Sequence, residues 1–279
     1  MIIDSHTHIF SREVLQDREQ YCTSDPCFSL LYSSSKARLL CAEELINAMD
    51  ERCIAKSVVL NIGWASHDIC VRTNDYILES IAKYPARLMG FCSIQPSERE
   101  KALLEIERCC DAGAKGIGEL RPDAQGYDLN DEELMSPLVK YAVKRDMVFL
   151  FHASEPVGHM YAGKGEMTPG IMYSFIERHP GLKVILAHLG GGLAFYESMP
   201  EVSHTLSNTY YDTAAVPFIY ASQIYRALIS IGGSSKILFG SDWPLLDPIR
   251  VADHIKSANL DPKDAENIFH ANVERFLGA

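Results

Sequence analysis

Short apolar runs alternate with amphipathic stretches along nearly the whole chain. Eight runs read as strands: Met1–Phe10, Lys56–Gly63, Arg87–Gln95, Ala114–Leu120, Met147–Ala153, Lys183–Gly190, Thr209–Ala215 and Lys236–Trp243. Several are almost continuously apolar, as in Ser57-Val58-Val59-Leu60 and Met147-Val148-Phe149-Leu150-Phe151, the pattern of parallel strands covered on both faces. Helical periodicity fills the intervals at Ala42–Arg52, Asn74–Tyr84, Arg99–Ala112, Asp131–Lys144, Thr168–His179 and Ile219–Ile231. Pro85, Gly113, Pro180 and Gly232-Gly233 act as stops. The tail predicts helices over Val251–Ser257 and Pro262–Phe276. Such alternation implies a parallel sheet, and eight units in 279 residues fit an α/β fold of the closed (β/α)8 TIM-barrel type. An open dinucleotide-binding sheet lacks its Gly-x-Gly-x-x-Gly fingerprint after the first strand. The expected organisation is one domain over residues 1–279. Residues 11–41 break the rhythm and read as a long loop over the catalytic end, where Tyr21, Phe28 and Tyr32 suggest a lid or substrate wall.

Composition narrows the function classes. A 47% hydrophobic and 23% charged chain is ordinary for a soluble globular protein, and no run reaches the roughly 18 apolar residues of a membrane span. The net charge of −11 argues against a nucleic-acid partner, because a phosphate backbone wants Lys and Arg. The eight cysteines are scattered rather than patterned, which fits free thiols in a reducing cytoplasm. No basic segment followed by an apolar one opens the chain, so no signal peptide is expected.

Candidate chemistry gathers where the strands end. His6 and His8 alternate at the end of the first run and so share a face. Glu119 ends the fourth, His152 the fifth, His188 the sixth and Asp242 the eighth. The C-terminal strand ends are the catalytic face of a barrel. Four imidazoles and two carboxylates there form the inventory for one or two divalent ions held by nitrogen and oxygen. Such an ion activates water and polarises a carbonyl, a role for which Asp242 can shuttle a proton and His188 can act as second proton carrier. Gly190-Gly191-Gly192 would leave room for substrate. Arg121 and Lys164 are candidates for an anionic substrate group. Glu155, His159 and Tyr161, after the fifth strand, and Trp64, after the second, can line the mouth.

These motifs, Asp4-Ser5-His6-Thr7-His8, Gly116-Ile117-Gly118-Glu119, Phe151-His152-Ala153, Leu186-Ala187-His188-Leu189-Gly190-Gly191 and Phe239-Gly240-Ser241-Asp242-Trp243-Pro244, resemble those of the amidohydrolase superfamily. The likeness is to the branch that also contains aminocarboxymuconate-semialdehyde decarboxylase and related aromatic-acid decarboxylases. It implies a single Zn2+ held by His6, His8, His152 and Asp242, with His188 beside the metal-bound water and Glu119 orienting water or a ligand. The two-ion alternative has Glu119 bridging, with His6, His8 and Asp242 on one ion and His152 and His188 on the other. Asp242, His188 and Glu119 are the catalytic candidates. The expected activity is metal-dependent hydrolysis of an amide, cyclic amide or related ester in a small, carboxylated molecule. The alternative is non-oxidative decarboxylation of an unsaturated or aromatic carboxylic acid. The family pattern also suggests a homodimer.

Overall fold

A computed structural model describes residues 1–161 and 163–278. Eight strands, β1 (Ile3–His8), β2 (Lys56–Leu60), β3 (Leu88–Cys92), β4 (Gly116–Leu120), β5 (Val148–Phe151), β6 (Lys183–Leu186), β7 (Thr209–Asp212) and β8 (Ile237–Leu238), lie in sequence order in one sheet. All seven sequential pairs are parallel. The sheet curls back on itself through Ser5 N to Phe239 O (2.7 Å), His8 N to Trp243 O (2.6 Å) and Asp242 N to His6 O (2.9 Å). The predicted (β/α)8 barrel is therefore the observed fold.

Inside and outside are sorted by the two-residue period of each strand. Val58, Leu60, Val148, Leu150, Ile185 and Ala187 pack in the barrel interior, while Val59, Phe149, Phe151, Val184 and Leu186 face the surrounding helices. That division explains why the strands read as unbroken apolar runs. The C-terminal helix Asn272–Leu277 plugs the lower end with Val273, Phe276 and Leu277. A wider turn at Asn267–Ala271 precedes it, and the Ile268 carbonyl there accepts from Phe239 N at 2.9 Å. Asn272 Nδ2 adds 2.7 Å bonds to Ser234 O and Ile237 O, tying this helix to the start of β8.

Three expectations change. The helix expected from Asn74 begins at His67 and runs to Lys83. Ile69, Thr73 and Ile77 line its buried face, but Asn74 shares that face and interrupts the apolar pattern. Asn74 is buried because its amide donates to Ser93 O (2.8 Å) and Glu105 Oε1 (2.7 Å), fully engaged with neighbouring elements. Residues 11–41 are not a plain loop. They form three short helices, Arg12–Gln16, Arg18–Ser24 and Pro26–Tyr32, with Ser11 and Asp25 accepting from backbone N–H groups as N-caps. Arg18 laces the segment together through the carbonyls of Tyr32 (2.8 Å) and Ala37 (2.9 Å). Its aromatics form a private core, with Phe28 stacked 5.2 Å from Trp64 and Tyr21 at 5.8 Å. Trp64 is fully buried there, its indole N–H donating to Asn61 Oδ1 at 2.9 Å, so the side chain expected to wall a substrate is instead packing. Among the described residues no helix is long and apolar enough to cross a membrane.

Candidate metal centre

The imidazoles and carboxylates reach one point only because three strands depart from regular alternation. His152 arrives without help: Val148 and Leu150 point into the barrel, and His152 continues that parity. In β1, Ile3 pairs with Lys56 and Asp4 with Ser57, but Thr7 pairs with Val59 and His8 with Leu60. One extra residue is thus accommodated between Asp4 and Thr7, and this bulge turns His6 and His8 inward. The same shift between Ile117 and Leu120 of β4 turns Glu119 inward. On β6, Ala187 holds the interior position and His188 would face out, but a backbone turn with φ of +58° at His188 brings the ring back.

Asp212, at the end of β7, holds that turn. Its Oδ1 accepts from His188 N (3.1 Å) and Ala214 N (3.0 Å), and its Oδ2 accepts from His6 Nδ1–H (2.8 Å). The His188 Nδ1–H donates to Ala214 O at 2.8 Å. With both Nδ1 protons so directed, His6 and His188 turn Nε2 toward the interior. His6 Nε2 lies 3.1 Å from His8 Nε2. Glu119 stands between two imidazole pairs. Its Oε2 is 3.8 Å from His6 Nε2 and 3.6 Å from His8 Nε2, and its Oε1 is 3.0 Å from His152 Nδ1 and 3.8 Å from His188 Nε2. Asp242 Oδ1 flanks the first pair at 3.4 Å from His8 and 3.7 Å from His6. Two ligand sets result, His6–His8–Glu119 and Glu119–His152–His188, sharing the one carboxylate.

The electrostatics ask for a cation. Burial opposes a charged imidazole at His6, yet the negative charge of Asp212, Glu119 and Asp242 outweighs it and raises the ring pKa to about 10. Burial likewise opposes charge on Glu119, but the bond to His152 and the charges of His6, His152 and His8 hold it well below the usual carboxylate range. Asp242 is lowered against its burial by His8, His6 and His188. The proton this charge holds on His6 is one that a divalent ion would replace, and imidazole nitrogens beside carboxylates held ionised suit such an ion.

The substrate candidates separate into two places. Arg121 is buried, its Nη2 donating to Gly163 O at 2.6 Å and its Nε 3.5 Å from Asp123 Oδ1. Its Nε and Nη1 have no hydrogen-bond partner among the described residues. After burial, the Arg121 charge is the next cause that lowers the pKa of His152. His159, Tyr161 and Lys164 instead border a cavity of about 400 Å3 between the loops after β5, β6 and β7. Lys164 Nζ is bound there by the carbonyls of Val157 (2.6 Å) and His159 (3.4 Å). Gly191 has a packing role as well: a Cβ there would meet Ser154 O at 2.4 Å, so a bare backbone is what lets the β5 and β6 loops touch. Sequence reading missed Asp212 and Ser154, whose hydroxyl lies 3.1 Å from His152 Nε2 and accepts from Gly165 N at 2.9 Å. Asp212 was findable, since it stands two residues beyond the inward Tyr210 at the end of a predicted strand.

The profile of the family described as Amidohydrolase matches residues 3–279. A gamma-resorcylate decarboxylase of Polaromonas sp. is 22% identical over 74% of this chain and 75% of its own. The 2-amino-3-carboxymuconate-6-semialdehyde decarboxylase of Dictyostelium discoideum is 23% identical over 99% of this chain and 91% of its own. The solved 5-carboxyvanillate decarboxylase of Novosphingobium aromaticivorans, complexed with manganese and 4-hydroxy-3-methoxy-5-nitrobenzoic acid, shares the fold at a TM-score of 0.79 and 18% identity, covering 100% of this chain and 96% of that one. Hydrolysis, the activity expected from the motifs, is overturned by these relatives, all decarboxylases. The motifs report the metal framework, which both reactions use, whereas the bond broken depends on the surrounding mouth. With the profile matched across nearly its whole length, the chain belongs to the amidohydrolase family, as an enzyme of that superfamily.

Proposed function

We propose that this protein is a metal-dependent, non-oxidative decarboxylase of an aromatic carboxylic acid. The observation that carries the reading is the similarity to a gamma-resorcylate decarboxylase over 74% of the chain, on a barrel whose mouth holds the donor set described above. His6, His8, Glu119, His152, His188 and Asp242 would hold the ion, either Zn2+ or Mn2+. Elemental analysis of the purified protein reads whether the two ligand sets take one ion or two. When bound, the ion supplies a Lewis-acid charge that neutralises the anionic substrate.

The remaining work belongs to the chain. In non-oxidative decarboxylation the ring carbon bearing the carboxylate gains a proton, and the carbon–carbon bond then breaks. Its electron pair returns to the ring as carbon dioxide leaves. With a single ion on His6, His8, His152 and Asp242, His188 Nε2 would be free to carry that proton, its Nδ1–H being anchored on Ala214 O. Asp242, held ionised, occupies the second proton-accepting position. Arg121 follows Glu119 by two residues at the end of β4 and, beside its ion pair with Asp123, has no hydrogen-bond acceptor at Nη1, a donor a substrate carboxylate could use. The same reading takes residues 1–279 as one barrel domain, working as a homodimer in the cytoplasm on a small-molecule acid.

The test is carbon dioxide release from carboxyl-labelled gamma-resorcylate and 5-carboxyvanillate by the metal-loaded enzyme. Arg121→Met should lower kcat/KM by about tenfold or more, the scale of a lost charge-assisted hydrogen bond. No release from either acid or other hydroxybenzoates, with metal bound, would reject the reading.

A further inference from the structure

The cavity between the loops after β5, β6 and β7 has chemistry of its own. None of the six metal-ligand candidates lines it, although it adjoins their strands: Glu155 follows His152 by three residues and Gly191 follows His188 by three. Glu155 is only 8% exposed, and it borders the cavity. Its Oε2 accepts from the Tyr161 hydroxyl at 3.2 Å, while its buried Oε1 has no hydrogen-bond partner among the described residues. Burial first, then the charge of Glu155 and hydrogen bonding to it, pushes the Tyr161 phenol up to about 12 and raises that of Tyr220, so both hydroxyls stay neutral and stand close to the Glu155 carboxylate. The nearest candidate cation on the lining, Lys164, is occupied by two backbone carbonyls. No ion pair reaches Glu155 among the described residues. Gly191 and Gly192 contribute bare backbone, and the half-exposed Phe195 and Tyr196 form an aromatic rim.

A buried carboxylate oxygen without a donor is costly, and because Glu155 borders a ring-sized cavity its carboxyl group can take the missing donor from a ligand that enters there. We infer that this cavity is a recognition subsite for a ring bearing a hydrogen-bond-donating substituent, a hydroxyl or amino group, which Glu155 Oε1 accepts while Phe195, Tyr196 and Tyr220 cover the ring. Glu155 repels a carboxylate, so a ligand's acid group lies away from it. The subsite thus selects both the substituent and the direction in which the ring enters. This deepens the decarboxylase reading and rests on it only for identifying the ligand with the substrate.

Phenol, aniline and anisole, none of which carries a carboxylate, probe the subsite directly in NMR titrations of the full-length, metal-loaded protein. Phenol and aniline should bind at least tenfold more tightly than anisole, which offers no donor. Glu155→Leu should erase that preference, and Glu155→Gln, which keeps an acceptor oxygen, should retain part of it. If Glu155→Leu does not fold, as judged by thermal melting, the wild-type series and Glu155→Gln decide. Anisole binding as well as phenol, a preference unchanged in the variants, or no binding by any of the three overturns the inference. Carbon dioxide release is scored separately on the acids. A protein that prefers donors but releases no carbon dioxide keeps the subsite and loses the reaction, and the reverse result does the opposite.

Discussion

Asp212 is wholly buried at the end of β7, with one carboxylate oxygen on the His6 ring and the other on the backbone N–H groups of His188 and Ala214. It is not itself a ligand candidate, yet it sets which nitrogen of His6 faces the ligand cluster and steadies the positive-φ turn that presents His188. Replacing it with Asn keeps an oxygen for the backbone donors but turns an N–H2 toward the His6 Nδ1–H. Donor then faces donor, and the His6 tautomer is no longer fixed. Asp212→Asn should therefore weaken metal binding by about 10- to 100-fold while the far-ultraviolet circular dichroism stays that of the folded barrel. Calorimetric titration of the apoprotein with Zn2+ or Mn2+ measures it, and unchanged affinity would remove Asp212 from this role. The ligands themselves were legible because each polar residue interrupts an apolar run at its C-terminal end. Asp212 escaped because a carboxylate following Tyr210 and Tyr211 reads as an ordinary strand exit.

Strands and loops share the labour of aiming. Three of the elements that supply ligands do so through an irregularity: bulges in β1 and β4, and consecutive positive-φ residues after β6. The β6 turn continues through Gly190, Gly191 and Gly192, and its closest approach is Gly191 against the Ser154 backbone. An Ala at 191 would add about 1–2 kcal/mol of left-handed strain. Its Cβ would also stand 2.4 Å from Ser154 O, so one of the two loops must move. Gly191→Ala should lower Tm by several degrees, at about 2–4 °C per kcal/mol for a chain near this size. It should also loosen metal binding, since Ser154 lies on the His152 ring. A calorimetric scan beside a metal titration reads both effects, and a variant with wild-type values in each would show that the loops tolerate the extra carbon. The segment 11–41 carries a related lesson. Its aromatics signalled importance correctly but mainly serve its own packing around Phe28 and Trp64, which no periodicity in so short a stretch distinguishes from a substrate wall.

For the whole molecule, stability and chemistry occupy different layers. The apolar interior of the barrel, the packing between sheet and helices, and the plug at Val273 and Phe276 all lie apart from the imidazole cluster at the strand ends. The barrel should therefore remain folded without metal. Chelation should abolish turnover and lower the melting temperature while leaving the secondary structure unchanged. Restoring metal at 100 to 1,000 times its Kd should return about 3–4 kcal/mol of stability by mass action. Loss of secondary structure on chelation would instead make the ion part of the core.

The chain's own pattern determined that there are eight strand–helix units, that they close as a barrel, and which strand ends carry nitrogen and oxygen ligands. Those features follow from apolar periodicity and from residue type, both local properties of sequence. Only the tertiary structure decided which way the ligands point. A single added residue in a strand reverses every later side chain, and the reversals at His6, His8 and Glu119 arise from pairing with neighbouring strands. It also decided that Asp212 orients His6, that Arg121 is buried in an ion pair with Asp123, and that Glu155 borders a cavity apart from the ligand cluster. Each of these depends on residues far apart in the chain meeting in space, and spacing along the sequence carries no record of that meeting.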